Sequence, residues 1–168
     1  MPSREVLKRV ARDKREGKAP TTQAGEFIRE EIHHIREGKH GARSPQQAIA
    51  IGLSKARRAG VELKPPGEEQ SASTRRKAGR DYARGHGAPP RSRTTGRRRA
   101  ATRRALERES QTSASPRALA QQGHSAASRR SPGSRATSAR KAVRTKGPAR
   151  RARAARKAAR TRATNAAR

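Results

Sequence analysis

The chain has 168 residues and carries 44 lysine and arginine side chains against 13 aspartates and glutamates, which gives a formal net charge of +31. Such an excess repels itself strongly unless a polyanion accompanies the chain, and nucleic acid is the most abundant cellular polyanion. The 15 Leu, Ile, Val and Phe residues are too few for a core that includes the whole chain. The absence of cysteine excludes disulfide bonds and thiolate metal sites.

The N-terminal part holds most of the large apolar residues, and it predicts a small all-α module over 1–64. Ser3 precedes an apolar stripe that Gly17 can end, which indicates a helix over about 4–16. A second helix over about 23–37 places four apolar residues on one face: Phe27, Ile28, Ile32 and Ile35.

The third predicted helix, over about 45–59, has the clearest end signals. Ser44 is the N-cap, with Pro45 at the first helical position and Gln47 completing a capping box. Gly60 is a left-handed cap that lets Val61 contact Ala56. Ile49, Leu53 and Ala56 are expected to pack on the second helix. Because so small a module is marginally stable, we expect it to dimerise through its helices or to dock on a partner.

A proline and glycine boundary separates this module from a far more basic region. Pro65, Pro66 and Gly67 begin a linker over 65–74. The tail over 75–168 contains three units of sixteen residues that begin at Pro116, Pro132 and Pro148. Ser115-Pro116 and Ser131-Pro132 are interpreted as pairs that start helices rather than as linker-histone turns.

The tail is predicted to be disordered, so the fold class expected for the chain is mostly disordered, with the small helical module and with short Arg/Ala-rich helices in the tail. Each repeat is only about a dozen residues between prolines, and like charges at i,i+4 repel each other. We therefore expect coil in the free chain and helix on contact with DNA.

Arginine exceeds lysine in the tail, and its planar fork suits bidentate contact with phosphate. The expected function is DNA binding without sequence preference, as in a histone-like compacting protein of the nucleoid. The DNA-binding residues predicted from this pattern are Arg97, Arg98, Arg99, Arg103, Arg104, Arg135, Arg140, Lys141, Arg144, Lys146, Arg150, Arg151, Arg153, Arg156, Lys157, Arg160 and Arg162.

Two further groups of residues are candidate sites. Lys39 and Arg43 flank the N-terminus of the third helix, where one DNA phosphate could bind; the alternative is a solvated basic turn. His33, His34, Glu37 and His40 cluster in the sequence, and His33 with Glu37 at i,i+4 could share a helical face as metal ligands, but no closed ligand set is evident, and histidines at a helix end more often contact its carbonyls or solvent. We expect no catalytic residue, no metal, no cofactor and no small-molecule substrate, and so no enzyme.

The stretch IREGKHGARSPQQAIAIGLSKARRAG, residues 35–60, resembles a small uncharacterised domain family of bacteria and phages. The family pattern is a glycine-lysine turn, a Ser-x-x-Gln cap and QAIAIALS-x-A, with Gly52 here at a position where alanine is usual. The resemblance implies a bacterial or phage source and no particular activity. The tail separately resembles bacterial histone-H1-like proteins in composition.

Two alternatives stay open beside DNA binding. One is a polycation that binds RNA or the ribosome, and the other is an interaction protein that recruits a partner while its basic tail anchors it. The first thirty residues contain no apolar run of signal-peptide or membrane-span length, so a cytoplasmic protein without a membrane partner is expected.

Overall fold

In a computed structural model, the chain is described over residues 2–89 and 96–166, and the described residues are 75% helical. The seven α-helices of this part run as α1 Arg4–Arg15, α2 Pro20–Arg36, α3 Pro45–Arg58, α4 Ala72–Gly85, α5 Gly96–Glu107, α6 Pro116–Ser128 and α7 Pro132–Ala166, with a 3₁₀ turn at Thr112–Ala114. The chain divides into two units, residues 1–122 and 123–168.

The helices of the N-terminal module begin and end at local sequence signals. The Ser3 hydroxyl accepts a hydrogen bond from the Val6 backbone N–H, and the Ser44 hydroxyl accepts one from Gln47. The Gln47 side chain accepts from the N–H of Arg43, one residue before the cap. The second helix begins at Pro20, earlier than position 23, because proline suits the first turn of a helix.

The end of α3 contains both hydrogen bonds of a Schellman motif. The Val61 N–H donates to the Ala56 carbonyl, and the Gly60 N–H donates to Arg57. Gly60 has φ +81°, which only glycine adopts at low cost. Val61 and Ala56 lie in one buried cluster, as the sequence predicted.

Small residues form most of the contact between α2 and α3. Ala48, Gly52 and Ala56 are the buried residues at i, i+4 and i+8 on α3, whereas Ile49 and Leu53 are only half-buried. The predicted face of α3 was therefore partly wrong. Small side chains on α3 let the two backbones approach closely, while the large apolar side chains in this contact come from α2.

Two apolar clusters form the core of the first unit. Phe27 and Ile35 on α2 are fully buried, one in each cluster. The first cluster also contains Val6, Ala24, Ala56 and Val61, and the second also contains Ala42, Ala48 and Ala114. Alanines therefore supply much of the buried apolar surface.

Residues after the predicted boundary also pack in this unit. The helix α4 contacts α3, where Gly85 approaches the Arg57 carbonyl so closely that an added Cβ would lie 1.9 Å from it. The last turn of α5 and the residues after it return to the loop that follows α2: the Gly41 N–H donates to the carbonyl of Leu106, in the last turn of α5, and the Ala42 N–H donates to the carbonyl of Ser110.

The prediction of a mostly disordered chain was wrong, because four of the helices lie in the region assigned to the linker and the disordered tail. Serine caps begin three of them: the hydroxyls of Ser71, Ser115 and Ser131 each accept a backbone N–H from the first turn. Such a cap contributes about 1 kcal/mol, whereas each like-charge i,i+4 pair costs only about 0.2–0.5 kcal/mol. Caps and the helix propensity of Ala and Arg outweigh the repulsion.

The two Ser-Pro pairs start helices, as the sequence indicated, because Pro116 and Pro132 are the first residues of α6 and α7. None of the helices in the described ranges is long and apolar enough to cross a lipid bilayer.

Candidate nucleic-acid interface

The second unit, residues 123–168, is basic throughout. Its sequence has 15 lysines and arginines and no aspartate or glutamate. No residue of α7 is buried over its described length, so its cations face solvent. The cations of this unit therefore have no carboxylate of the same unit with which to pair.

A kink at Gly147 divides α7 into two arms, over 132–146 and 148–166. Gly147 has φ +66° and ψ 169°, outside the helical region. Pro148 follows it and lacks the N–H that would continue the hydrogen-bond ladder. Each of the last two sixteen-residue repeats therefore begins a helical arm with its own proline.

The first arm places three cations on one side of the helix. Arg140, Lys141 and Arg144 line a shallow groove together with Thr137 and Thr145. Both threonine hydroxyls donate to the carbonyl four residues earlier in the helix, so they are already satisfied. The cations are the groups on this surface that can bind an anion. Two more predicted residues, Arg135 and Lys146, are exposed on the same arm.

The second arm carries a longer stripe of cations, which we call the arginine stripe: Arg153, Arg156, Lys157 and Arg160. Their spacing of i, i+3, i+4 and i+7 puts them on one helical face, and all four are exposed. Arg150 continues this face toward the kink, whereas Arg151 and Arg162 fall on the other side of the helix. The stripe extends over about 10 Å of helix, at 1.5 Å per residue.

The predicted residues on α5 belong to the first unit and have acidic neighbours. Arg97, Arg98, Arg103 and Arg104 are exposed, and the side chain of Arg99 lies outside the described part of the chain. The Arg103 guanidinium contacts the Glu107 carboxylate at 3.1 Å, which offsets part of the charge on this helix. Compared with the arms of α7, α5 is therefore a weaker candidate surface.

The predicted phosphate loop before α3 has most of its groups engaged. Lys39 pairs with Glu37 at 2.9 Å, and Arg43 lies 3.6 Å from a carboxylate oxygen of Glu109. The N–H groups of Gly41, Ala42 and Arg43 donate to protein oxygens. These N–H donors of the loop therefore already have partners within the protein and do not point toward solvent, where a phosphate would bind.

One basic surface was missed from the sequence. Arg76, Arg80 and Arg84 are exposed on α4 at i, i+4 and i+8, which puts them on one face. The spacing is visible in the sequence, but the segment was assigned to disorder. The pair of Arg58 and Asp81 lies at the contact of α3 with α4.

No protein-family model, curated protein or solved structure matches the chain. The resemblances of residues 35–60 and of the tail therefore stay predictions.

Proposed function

We propose that residues 123–168 bind the phosphate backbone of nucleic acid, duplex DNA in preference to RNA, without reading base sequence. The single observation that carries this proposal is an exposed helical unit with 15 cations and no acid. Phosphate contacts by Lys and Arg release condensed counterions from the polyanion, and this release drives binding of any sequence.

The arginine stripe suits phosphate more than base edges. A guanidinium makes two parallel hydrogen bonds to phosphate oxygens, and its pKa keeps it charged at any physiological pH. Side chains that read adenine by paired hydrogen bonds are Asn and Gln, and the arginine stripe contains neither; Asn165, five residues beyond Arg160, is the nearest exposed one on this arm. The stripe therefore supports affinity and orientation rather than base recognition.

The chain's two large aromatic side chains support a duplex rather than splayed single strands as the ligand. Single-strand binders stack bases on exposed aromatic rings. Phe27 is fully buried in the core, and Tyr82 stacks on His86 and donates to Glu62. Phe27 therefore offers no stacking surface, and one face of the Tyr82 ring is already covered by His86. Coating of duplex DNA in this way corresponds to a nucleoid-associated protein.

The test compares two full-length variants that each lose four positive charges from a helical stripe. One replaces the arginine stripe with Gln: Arg153→Gln, Arg156→Gln, Lys157→Gln and Arg160→Gln. The matched control replaces a stripe on α1 whose residues are also exposed: Arg4→Gln, Lys8→Gln, Arg12→Gln and Arg15→Gln. Gln has nearly the helix propensity of Arg and Lys, so circular dichroism should stay unchanged in both.

Fluorescence anisotropy with a short DNA duplex measures the binding constant K across a salt series, and the salt dependence of K is the deciding quantity. The slope of log K against log salt changes by about 0.9 for each phosphate that the protein no longer neutralises, so the slope should become shallower by about 3–4 in the stripe variant. In the α1 variant the slope should change by less than about 1. Equal changes in the two variants, or an unchanged slope in the stripe variant, would show that bulk charge or another surface binds the DNA.

A further inference from the structure

A deeply buried carboxylate lies at the centre of the first unit. The Glu31 side chain on α2 is 1% exposed. A buried charge without partners costs several kcal/mol, so partners are required. The Lys55 ammonium on α3 contacts one carboxylate oxygen, and Nε2 of His40 lies 3.3 Å from the other. Two helices and the loop after α2 therefore meet at one carboxylate.

His34 completes a group of three potential ligands around this point. It lies one turn after Glu31 on α2, and its ring is edge-on to that of His40, with centroids 6.4 Å apart. One donor atom from each of Glu31, His34 and His40 lies within 4.8 Å of the other two. Zinc binds imidazole nitrogens and carboxylate oxygens at distances of about 2.0–2.2 Å, and this group offers two such nitrogens and one such oxygen. Small side-chain rotations bring three atoms so placed around one ion.

The surroundings hold the His40 ring in an orientation suited to a ligand. Its Nδ1 lies 3.1 Å from the Gly41 carbonyl, so in the metal-bound state an Nδ1–H would donate to this carbonyl, and Nε2, having given up its proton, would face the ion. Metal-binding histidines usually donate their other ring N–H to a carbonyl or carboxylate in this way. Gly41 and Ala42 are themselves fixed by hydrogen bonds to Leu106 and Ser110.

A second carboxylate next to the group has an unused oxygen. Glu30 Oε1 accepts a hydrogen bond of 2.7 Å from the Ser3 backbone, but Glu30 Oε2 is buried and has no hydrogen-bond partner. Glu30 interacts electrostatically with both His34 and Lys55. It lines a groove of about 820 Å³ together with His34, so the His34 side of the group borders this groove.

We propose that Glu31, His34 and His40 bind a divalent transition metal, with Zn²⁺ as the ion that suits the donor set, and that the ion displaces the Lys55 ammonium from Glu31. Lys55 reaches the site from α3 and its side chain is 18% exposed, so the ammonium can turn toward solvent. A water molecule completes four-coordination, and the unpartnered Oε2 of Glu30 adds negative charge beside His34.

The ion would link the middle of α2 to the loop that precedes α3. This loop also holds the segment after α5, so binding joins three parts of the first unit. A ligand that binds the folded state alone raises the unfolding temperature as its concentration rises. The metal is therefore structural, and the site is independent of the cations on α7.

The test uses the untagged full-length chain and Zn²⁺ or Co²⁺ alone. Calorimetry should give one Zn²⁺ per chain, and Co²⁺ should give the visible absorption bands of tetrahedral coordination. His34→Gln and His40→Gln should each weaken Zn²⁺ binding by at least about tenfold. His33→Gln and His124→Gln are the matched controls and should bind as the wild type does, since His33 is exposed and pairs with Glu37.

Lys55→Gln tests the displacement. Without the competing ammonium, Zn²⁺ affinity should rise by at least about tenfold, since a cation at this distance opposes the ion strongly in a buried site. An unchanged or lower affinity in a folded Lys55→Gln protein would overturn displacement. Loss of binding in His33→Gln with retention in His34→Gln and His40→Gln would place the ion on the exposed pair and overturn the site. Absence of one-to-one binding in the wild type would overturn it as well.

Discussion

Gly52 on α3 lies directly against Ile28 on α2, where an added Cβ would stand 2.8 Å from the Ile28 Cα and 3.0 Å from its backbone nitrogen. The added Cβ would clash with backbone atoms, so rotation of a side chain would not relieve the clash. The two helices approach this closely because α3 presents Ala48, Gly52 and Ala56 to α2. The contact fixes the position of α2, which carries Glu31 and His34.

We predict that Gly52→Ala lowers the free energy of unfolding. Overpacking of this kind costs about 1–3 kcal/mol, and the better helix propensity of alanine returns at most about 1 kcal/mol. Gly25→Ala on α2 is the control, because a Cβ at Gly25 meets nothing within 4 Å, and it should stabilise the protein by about 0.5–1 kcal/mol. Urea denaturation measures both. Equal stabilisation by the two substitutions would contradict the close packing.

The close contact at Gly52 also shows what could be predicted from the sequence. Signals that act over a few residues were visible: Ser3 and Ser44 as caps, and Gly60 with Val61 at the end of α3. The expected lack of a large core followed from counting Leu, Ile, Val and Phe. A count of Leu, Ile, Val and Phe leaves out helix faces made of alanine and glycine. Such faces let helices pack with little large apolar surface.

The two candidate sites, the arginine stripe and the group around Glu31, also differ in how far local sequence predicts them. The arginine stripe follows from helical spacing within one segment, so it could be predicted. The Glu31, His34 and His40 group could be predicted only in part: His34 and His40 belong to a cluster visible in the sequence, but Glu31 with His34 at i,i+3 is no better marked than His33 with Glu37 at i,i+4, and His40 lies in a loop. Only the fold of that loop brings His40 back to Glu31. No local pattern marks the contact of Gly41 with Leu106, 65 residues later in the chain.

We predict that Gly41→Ala releases the segment after α5 from the loop. A Cβ at Gly41 would lie 1.8 Å from the Glu109 carbonyl oxygen, so one backbone must move. The movement breaks the hydrogen bonds of Gly41 and Ala42, each worth about 1 kcal/mol. Hydrogen exchange at the Ala42 amide should become at least about tenfold faster. Gly133→Ala, where a Cβ meets nothing within 4 Å, should leave this amide unchanged.

A cluster between the end of α3 and α4 predicts a pH dependence of stability. Nδ1 of His86 lies 2.8 Å from the Tyr82 carbonyl, and Nε2 lies 2.8 Å from the Glu62 carboxylate. The hydrogen bond to the Tyr82 carbonyl, and then the hydrogen bond to Glu62 and its negative charge, raise the pKa of His86 above 6.5, while burial and Lys14 oppose them. The hydroxyl of Tyr82 and then His86 lower the pKa of Glu62 below 4.5.

The direction of the effect follows from these two pKa shifts. A raised histidine pKa stabilises the fold fully below the ordinary value of 6.5, and this contribution is lost as the pH rises through the raised pKa. A lowered glutamate pKa stabilises above 4.5, and its contribution is lost as the pH falls through the lowered pKa. The contribution of the cluster is therefore greatest between about pH 4.5 and 6.5.

We predict that the Tm of the wild type falls more between about pH 5.5 and about pH 8.5 than the Tm of His86→Gln, which has no imidazolium to lose. Scanning calorimetry across this range makes the comparison. His124→Gln is the control, because its histidine lies exposed at α6, and it should keep the wild-type pH dependence. If His86→Gln shows the full wild-type fall in Tm, the cluster does not contribute to stability as described.

We predict that the chain binds duplex DNA with little preference for base sequence. If the exposed arginines contact phosphate rather than base edges, AT-rich and GC-rich duplexes should bind with affinities within about threefold of each other. A base-reading interface would instead lose about 1–3 kcal/mol for each mismatched pair. Arginine also enters the narrow minor groove of DNA, whereas A-form RNA presents a wide, shallow one.

Competition at several salt concentrations separates DNA from RNA. Unlabelled duplex DNA should displace a labelled structured RNA at a lower concentration than RNA displaces labelled DNA, and the difference should persist as salt rises. The arginine-stripe variant should bind both ligands more weakly. A stronger competition by RNA at every salt concentration would favour the RNA-bound polycation, and a strong preference among duplex sequences would require a base-reading element outside the arginine stripe.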